Sequence, residues 1–362
     1  MHTKKAAAVA LAAALGVTGL AACSTESARD AAGKSGEPAP KTVTLVSHDS
    51  FNASKEVLAE FTKRTGFTVK VLKAGDAGEA VNKEILTKGS PQGDVFFGVD
   101  NTLLSRAVDH GIFVEYQAKG ADRIPDTFKL DKRVTPIDTG DICVNYDKKY
   151  FADKKLAPPQ TFDDLAKPEY KNLLVVENPE RSSPGLGFLL GTVAKYGDEG
   201  WQDYWSKLKA NGVKTVDSWE LAYNQEFSGS AGGKEAKGDR PLVVSYASSP
   251  PVEVLYAEPQ PKEAPTGVST GTCFRQIEFA GLLDGAKNPE GGKALIDFLV
   301  SKAFQDDMPL QMFVNPVAED ATLPELFTKH GVVIEKPETV APEKIAEKRE
   351  AWIQQWSSLV LK

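Results

Sequence analysis

Two aspartates stand where apolar, strand-like runs end: Asp49 after TVTLVS and Asp100 after DVFFGV. In an open α/β sheet such positions border the crevice where ligands bind. A carboxylate there can hold a cation, or it can cap the helix that follows. Both roles stay open for Asp100, just before NTLLSRAV, whereas Ser50, Phe51 and Asn52 separate Asp49 from the next helical pattern and favour a ligand role. Ser182 and Ser183 precede Pro184-Gly185-Leu186-Gly187 and a helical run. Serine there caps the helix, and free amides of a first turn can receive a hydroxyl, carboxylate or phosphate, with Arg181 at hand for a phosphate. Trp219 and Tyr223 are four residues apart on a helical pattern, and Tyr246 ends an apolar run. Core packing accounts for aromatics so placed. So does a ring face turned to a cation, worth about 0.5–2 kcal/mol. Nucleophilic and metal chemistry have little to work with. His2, His48, His110 and His330 are scattered, and no Walker A loop, G-x-S-x-G elbow, H-E-x-x-H or internal repeat occurs. No enzyme, cofactor or resident metal is expected.

The elements that must position these residues come from a chain of 362 residues, 41% hydrophobic and 26% charged. That length suits about two domains or one large one, with core enough to fold without staples. The net charge of −7 argues against wholesale nucleic-acid binding, which needs a basic stripe. At the N-terminus, Lys4 and Lys5 precede the apolar run Ala6 to Leu20 and then Leu20-Ala21-Ala22-Cys23. The run is shorter than the ~20 residues of a spanning helix and fits a secretory signal. Small residues before a cysteine resemble a bacterial lipobox, so cleavage is expected after residue 22, with lipid on Cys23. Losing Lys4 and Lys5 takes the charge from −7 to −9. Residues 23–40, rich in Ala, Gly, Ser and Pro, read as a flexible tether. With Cys23 acylated, Cys143 and Cys273 remain in an oxidising compartment, either paired or as two separate buried thiols.

From Lys41 the chain alternates strand and helix. Strands are expected at 42–47, 67–72, 94–99, 173–177 and 241–247. Helices are expected at 54–66, 78–89, 101–111, 186–197, 199–212, 289–308 and 341–362. This order implies an open, mostly parallel sheet flanked by helices. DVFFGV is nearly unbroken apolar, as a strand buried on both faces should be. The insert 228–241 is small, polar and glycine-rich, and no role is assigned to it. In the last segment Ile345, Trp352, Trp356 and Leu359 fall roughly on one helical face, as in a helix packing against a lobe.

The stretches SHDSFNASKEVLAEFTKRTG, GDVFFGVDNTLLSRAVDHGIF, PIDTGDICVNYDK, RSSPGLGFLL, SWELAYNQEF and VVSYASSP, in that order, resemble the thiamine-binding extracytoplasmic solute-binding proteins of ABC importers. The resemblance runs from about Lys41 to the C-terminus. It implies a two-lobed α/β periplasmic-binding-protein fold of type II, each lobe a mostly parallel sheet, with the ligand in the cleft between them. The first lobe would comprise 41–137, the second 138–262, and 263–362 would return to the first. By the same resemblance the ligand residues are Asp76 and Ala77 of the Gly75–Gly78 stretch, Ser182 and Ser183, Trp219, and Tyr246, Ala247, Ser248 and Ser249. Phe313 stands where better-known members carry tryptophan, and Thr139 replaces a tyrosine; both thin the aromatic lining. Asp141 lies in the crossing segment, and with Asp49, Asp100, Tyr223 and Phe313 it completes the expected site. The implied partners are a cationic small molecule, an ABC permease with its ATPase, and the outer face of the cell membrane through Cys23. The protein is expected as a monomer. Alternatives are a polyamine binder, a ferric-iron binder, although the family's adjacent tyrosine pair is missing here, and a secreted lipoprotein hydrolase.

Overall fold

The computed structural model describes residues 41–230 and 238–362. The expected signal, the lipidated Cys23, the tether and the middle of the glycine-rich insert lie outside the described residues. Among the described residues no helix is long and apolar enough to cross a membrane.

Local chemistry sets most element ends. Thr42–Ser47 (β1) is β-branched and buries its later residues. The helix Lys55–Thr65 starts where the Ser54 hydroxyl accepts from the Val57 N–H, and stops at Gly66, which takes a left-handed conformation at φ 76°. Thr68–Lys73 (β2) and the fully buried Val95–Asp100 (β3) lie parallel to β1, one on each side. Two long strands follow this unit in space: Thr135–Asp147 (β4) and Thr266–Leu282 (β8). They pair antiparallel along most of their length, and β8 also pairs antiparallel with β3. On the far side, Leu174–Glu177 (β5), Lys214–Val216 (β6) and Leu242–Tyr246 (β7) form a second parallel set, joined to β4 through β7. The sheet order is β2-β1-β3-β8-β4-β7-β5-β6, with the short strand Asn315–Pro316 (β9) on β4. Each lobe is therefore parallel at its outside, and the two crossing strands supply the antiparallel centre.

Of two expectations about helices, one is met and one is not. Ser183–Ala210 is two helices joined across a kink, divided where expected, at Gly197, which leaves helical geometry at φ 73° and ψ 178°. Conversely, 289–308 is not one helix but two, Pro289–Leu299 and Lys302–Met312, with Ser301 extended at the second start. The final helix, Pro342–Val360, seats Trp356 edge-on against Trp205 of the long helix, their centroids 5.4 Å apart. It also reaches the first lobe, where Glu350 accepts from Arg106 at 2.5 Å. Cys143 on β4 and Cys273 on β8 are joined by a disulfide, which ties the crossing strands together.

Candidate ligand-binding cleft

The ends of the strands in both lobes converge on one cavity of about 60 Å³. Its first wall comes from the residues after β1, His48 and Ser50, and from Asp76 and Ala77 at the start of the helix Ala77–Leu86. The opposite wall carries Ser183, Pro184, Trp219, Tyr246 and Ser249. Gln276 and Glu278 of the crossing strand β8 form the floor, and Met312, Phe313 and Val314 close one side.

Asp76 joins the walls. Its Oδ1 accepts from the Ala77 N–H at 2.7 Å, and its Oδ2 accepts from the Trp219 N–H of the other lobe at 3.0 Å. Burial raises its pKa, while these amide donors and His48 pull it back. Beside it the N–H groups of Gly78 and Glu79, orphaned at a helix start, donate to the Arg181 carbonyl at 2.8 and 3.3 Å. Ser50 donates to Glu220 at 3.2 Å, and Ser248 donates to the Phe313 carbonyl at 2.6 Å. Apart from the local Asp76–Ala77 bond, these contacts cross the cleft, so the lobes are closed on one another around the cavity.

Trp219 sits at the head of a short irregular helical segment, Trp219–Leu221 running on into a π-type turn at Ala222–Glu226. Such turns concentrate at functional sites. The indole stacks on Tyr223, and its Nε1–H donates to Ser245 Oγ at 3.0 Å. Ser245 Oγ in turn meets Ser249 Oγ at 2.9 Å, and Ser249 Oγ accepts from the Tyr246 N–H at 3.2 Å. One chain of hydrogen bonds thus links the Trp219 indole to the backbone of Tyr246. The Tyr246 ring lies over Gly140 of β4, where a Cβ would stand 2.8 Å from its Cδ1, so any side chain there would displace the ring. Phe313 is a non-glycine residue at φ 58°, stacked on Phe327 with centroids 6.3 Å apart. That uncommon backbone geometry turns the end of its helix into the cleft.

The expected site residues fall into three groups. Asp76, Ala77, Ser183, Trp219, Tyr246, Ser249 and Phe313 line the cavity. Asp49 and Tyr223 do not; they border an adjoining hollow that shares Ser50, Trp219, Val252, Met312 and Phe313 with it. There the Asp49 carboxylate accepts from the Gly75 N–H at 3.1 Å, and Tyr223, 1% exposed, donates to Glu253 at 2.7 Å. The remaining five lie behind the surface. Asp100 caps its own turn, accepting from Thr102 and Leu103, and orients Gln276, whose Nε2 donates to it at 2.7 Å. Asp141 pairs with Arg275 on β8 at 2.6 Å. Ser182 is the buried N-cap of the long helix, and Ala247 and Ser248 turn the chain after β7.

His48, Ser50, Pro184, Val252, Gln276, Glu278, Met312 and Val314 also line the cavity and were not singled out from the sequence. A signal existed for two of them: Gln276 and Glu278 alternate in the otherwise apolar run IEFAGLL and its approach, so both must share one face of the strand. Burial pushes the Glu278 pKa up to about 8, with Asp100 and Asp76 adding to it and a hydrogen bond with Asp138 opposing it. Burial also raises Asp138 well above the usual carboxylate range and lowers His48, which stands 3.3 Å from Glu278. The cleft is therefore acidic at its floor and aromatic on its wall.

Residues 90–247 match the family of bacterial extracellular solute-binding proteins. The chain is 31% identical over 330 residues to the thiamine-binding periplasmic protein of Escherichia coli K12, covering 89% of this chain and 94% of that one. It is 28% identical over 334 residues to the thiamine-binding periplasmic protein of Brucella suis, covering 88% and 92%. A solved structure of a periplasmic thiamin binding protein superposes with a TM-score of 0.75 at 28% identity, covering 88% of this chain and 96% of that one. With the two lobes, the crossing strands and the cleft between them, these likenesses establish that the chain belongs to the family of bacterial extracellular solute-binding proteins that includes the thiamine-binding periplasmic proteins.

Proposed function

We propose that this protein captures thiamine or its phosphate esters outside the cytoplasm and delivers the ligand to the permease of an ABC importer, performing no catalysis itself. The observation that carries this reading is the pairing of an aromatic wall, Trp219 backed by Tyr223 and Tyr246 over Gly140, with the carboxyl groups of Asp76 and Glu278 in one cavity. A thiazolium is a permanent cation without N–H donors on its ring, so ring faces and carboxylates are what can hold it. The names of the relatives point the same way. The first turn of the long helix, at Ser182 and Ser183, is the end suited to a phosphate. Lipid on Cys23 would hold the protein at the outer face of the membrane.

The test is a titration of the mature protein with thiamine, its mono- and diphosphate, putrescine, spermidine and ferric citrate, followed by calorimetry and tryptophan fluorescence. Thiamine or one of its phosphates is expected to bind in the micromolar range or tighter. Millimolar binding of all three, with another solute reaching micromolar, would overturn the proposal.

A further inference from the structure

Three carboxyl groups stand side by side under the cavity. Glu278 of β8 is in register with Asp100 of β3 on one side and with Asp138 of β4 on the other. In-register neighbours on adjacent strands put their side chains on one face, roughly 4.5–5.5 Å apart at Cβ, where like charges oppose one another. All three are buried, Asp100 at 0%, Asp138 at 1% and Glu278 at 8% exposure, and only Glu278 reaches the cavity wall.

Their partners differ. Asp100 is surrounded by donors from Thr102, Leu103 and Gln276. Asp138 Oδ2 finds no donor around it, and the carboxyl group of Asp138 instead meets that of Glu278 at hydrogen-bonding range. Two carboxylates cannot hydrogen-bond without a proton between them, and the contact raises Asp138 while it lowers Glu278, so Asp138 keeps the bridging proton and Glu278 is the group that ionises first. The other groups facing Glu278 are His48, Asp76, Asp100 and the phenol of Tyr246. Among the described residues, His48 is the one basic group in ion-pair reach of Glu278, and its burial favours the neutral imidazole. The floor of the cleft thus carries acid without a protein cation to neutralise it.

We propose that Glu278 is the residue that meets the positive charge of the ligand, and that its own proton passes to solvent as the cation arrives, with Asp138 staying protonated beside it. This rests on the reading of the protein as a binder of a thiazolium cation. It makes capture proton-linked: the O–H bond of the Glu278 carboxylic acid breaks, the electron pair stays on the carboxylate, and bulk water or buffer takes the proton. Affinity then rises with pH while Glu278 remains protonated in the free protein, approaching tenfold per pH unit for one proton released, and levels off above about 8.

The experiment is thiamine calorimetry at pH 7 in phosphate and in Tris, whose ionisation enthalpies differ, repeated between pH 6 and 9. The wild-type protein is expected to give a buffer-dependent heat corresponding to release of about 0.5–1 proton per thiamine. Glu278→Gln should abolish the part of that release owed to the protein, flatten the pH profile and weaken binding at pH 8 by tenfold or more. It also subtracts any proton that the ligand itself loses. Asp138→Ala should lower affinity at pH 6 relative to wild type, because it removes the hydrogen bond that favours the ionised form of Glu278, and a raised affinity there counts against the proposal. Thiamine binding whose heat is the same in both buffers, or an unchanged profile in Glu278→Gln, overturns the proposal. Absence of thiamine binding at every pH overturns the functional reading instead.

Discussion

The indole of Trp219 lies 13° from parallel with the ring of Tyr223, their centroids 5.0 Å apart, so one face of the indole is backed by a buried ring. The tryptophan also lines the cavity, while the tyrosine is anchored by its hydroxyl to Glu253. A ring held in this way arrives at the ligand already ordered, which reduces the entropy lost on binding. Trp219→Ala is expected to weaken thiamine binding by roughly 2 kcal/mol or more, as loss of a central aromatic anchor does. Tyr223→Leu should cost less, on the order of 1 kcal/mol, because the ligand-facing ring remains and only its backing is lost. Equal affinities of Trp219→Ala and wild type in calorimetry would remove Trp219 from the site.

Asp76 is the carboxylate that closes the lobes, since its two oxygens accept from helix-start and cross-cleft amides at once. Asp76→Ala leaves the Trp219 N–H without its acceptor, and hydrogen bonds to charged groups are worth about 1.5–3 kcal/mol. The expected result is a dissociation rate for thiamine raised roughly tenfold to a hundredfold, with a smaller change in association. Stopped-flow tryptophan fluorescence reads both. A slower association with unaltered dissociation would mean that Asp76 guides entry and does not hold the lobes shut.

Stability should carry the mark of the acidic floor. The Glu278 pKa is about 8 in the folded protein, above its ordinary value of 4.5. Below about pH 4.5 both the folded and unfolded chains hold this proton, so the group costs nothing. As pH rises from 4.5 towards 8 the unfolded chain releases the proton and the folded one keeps it, so stability falls through that window. His48, whose pKa burial lowers, acts in the opposite sense, costing stability as pH falls through its ordinary range. The advantage in Tm of Glu278→Gln over wild type is therefore expected to grow between pH 5 and pH 8. Parallel Tm profiles for the two proteins would show that the carboxyl titrates normally.

The disulfide between Cys143 and Cys273 closes a loop of 130 residues. In the chain-entropy account a loop of that order stabilises by about 4–5 kcal/mol, and measured losses for native bridges are about 2–5 kcal/mol. The double variant Cys143→Ser, Cys273→Ser should unfold at a Tm lower by several degrees. Because neither cysteine lines the cavity, and their strands are held also by a ladder of backbone bonds, thiamine affinity below the new Tm should change less than threefold. A thermal melt with and without reductant checks the first expectation, and calorimetry the second.

Much of the architecture was legible because it is local. Ser54 and Gly66 bracket a helix through bonds and backbone geometry within a few residues, and the unbroken apolar run of β3 announces burial on both faces. The breaks in helices were unequally legible. Gly197 marked one, since glycine leaves helical geometry readily, while Val300 and Ser301 divide a pattern whose apolar period continues across them. At the second break the packing against neighbours outweighs local propensity.

The amino-acid sequence by itself determined the order of strands and helices, most of their caps, the two cysteines able to pair, and the aromatic residues that could face a cation. Which carboxyl group joins Asp76 in facing the cavity was decided only by the tertiary structure. Asp49, Asp100 and Asp141 each look suitable from the end or the crossing of a strand, yet they bond to Gly75, to Thr102 and Gln276, and to Arg275. Glu278 takes the floor because β8 lies between β3 and β4 in one particular register. Alternation along a strand states which residues share a face. It does not state which distant strand lies opposite, or whether that face meets a cation, an arginine or a second carboxyl group.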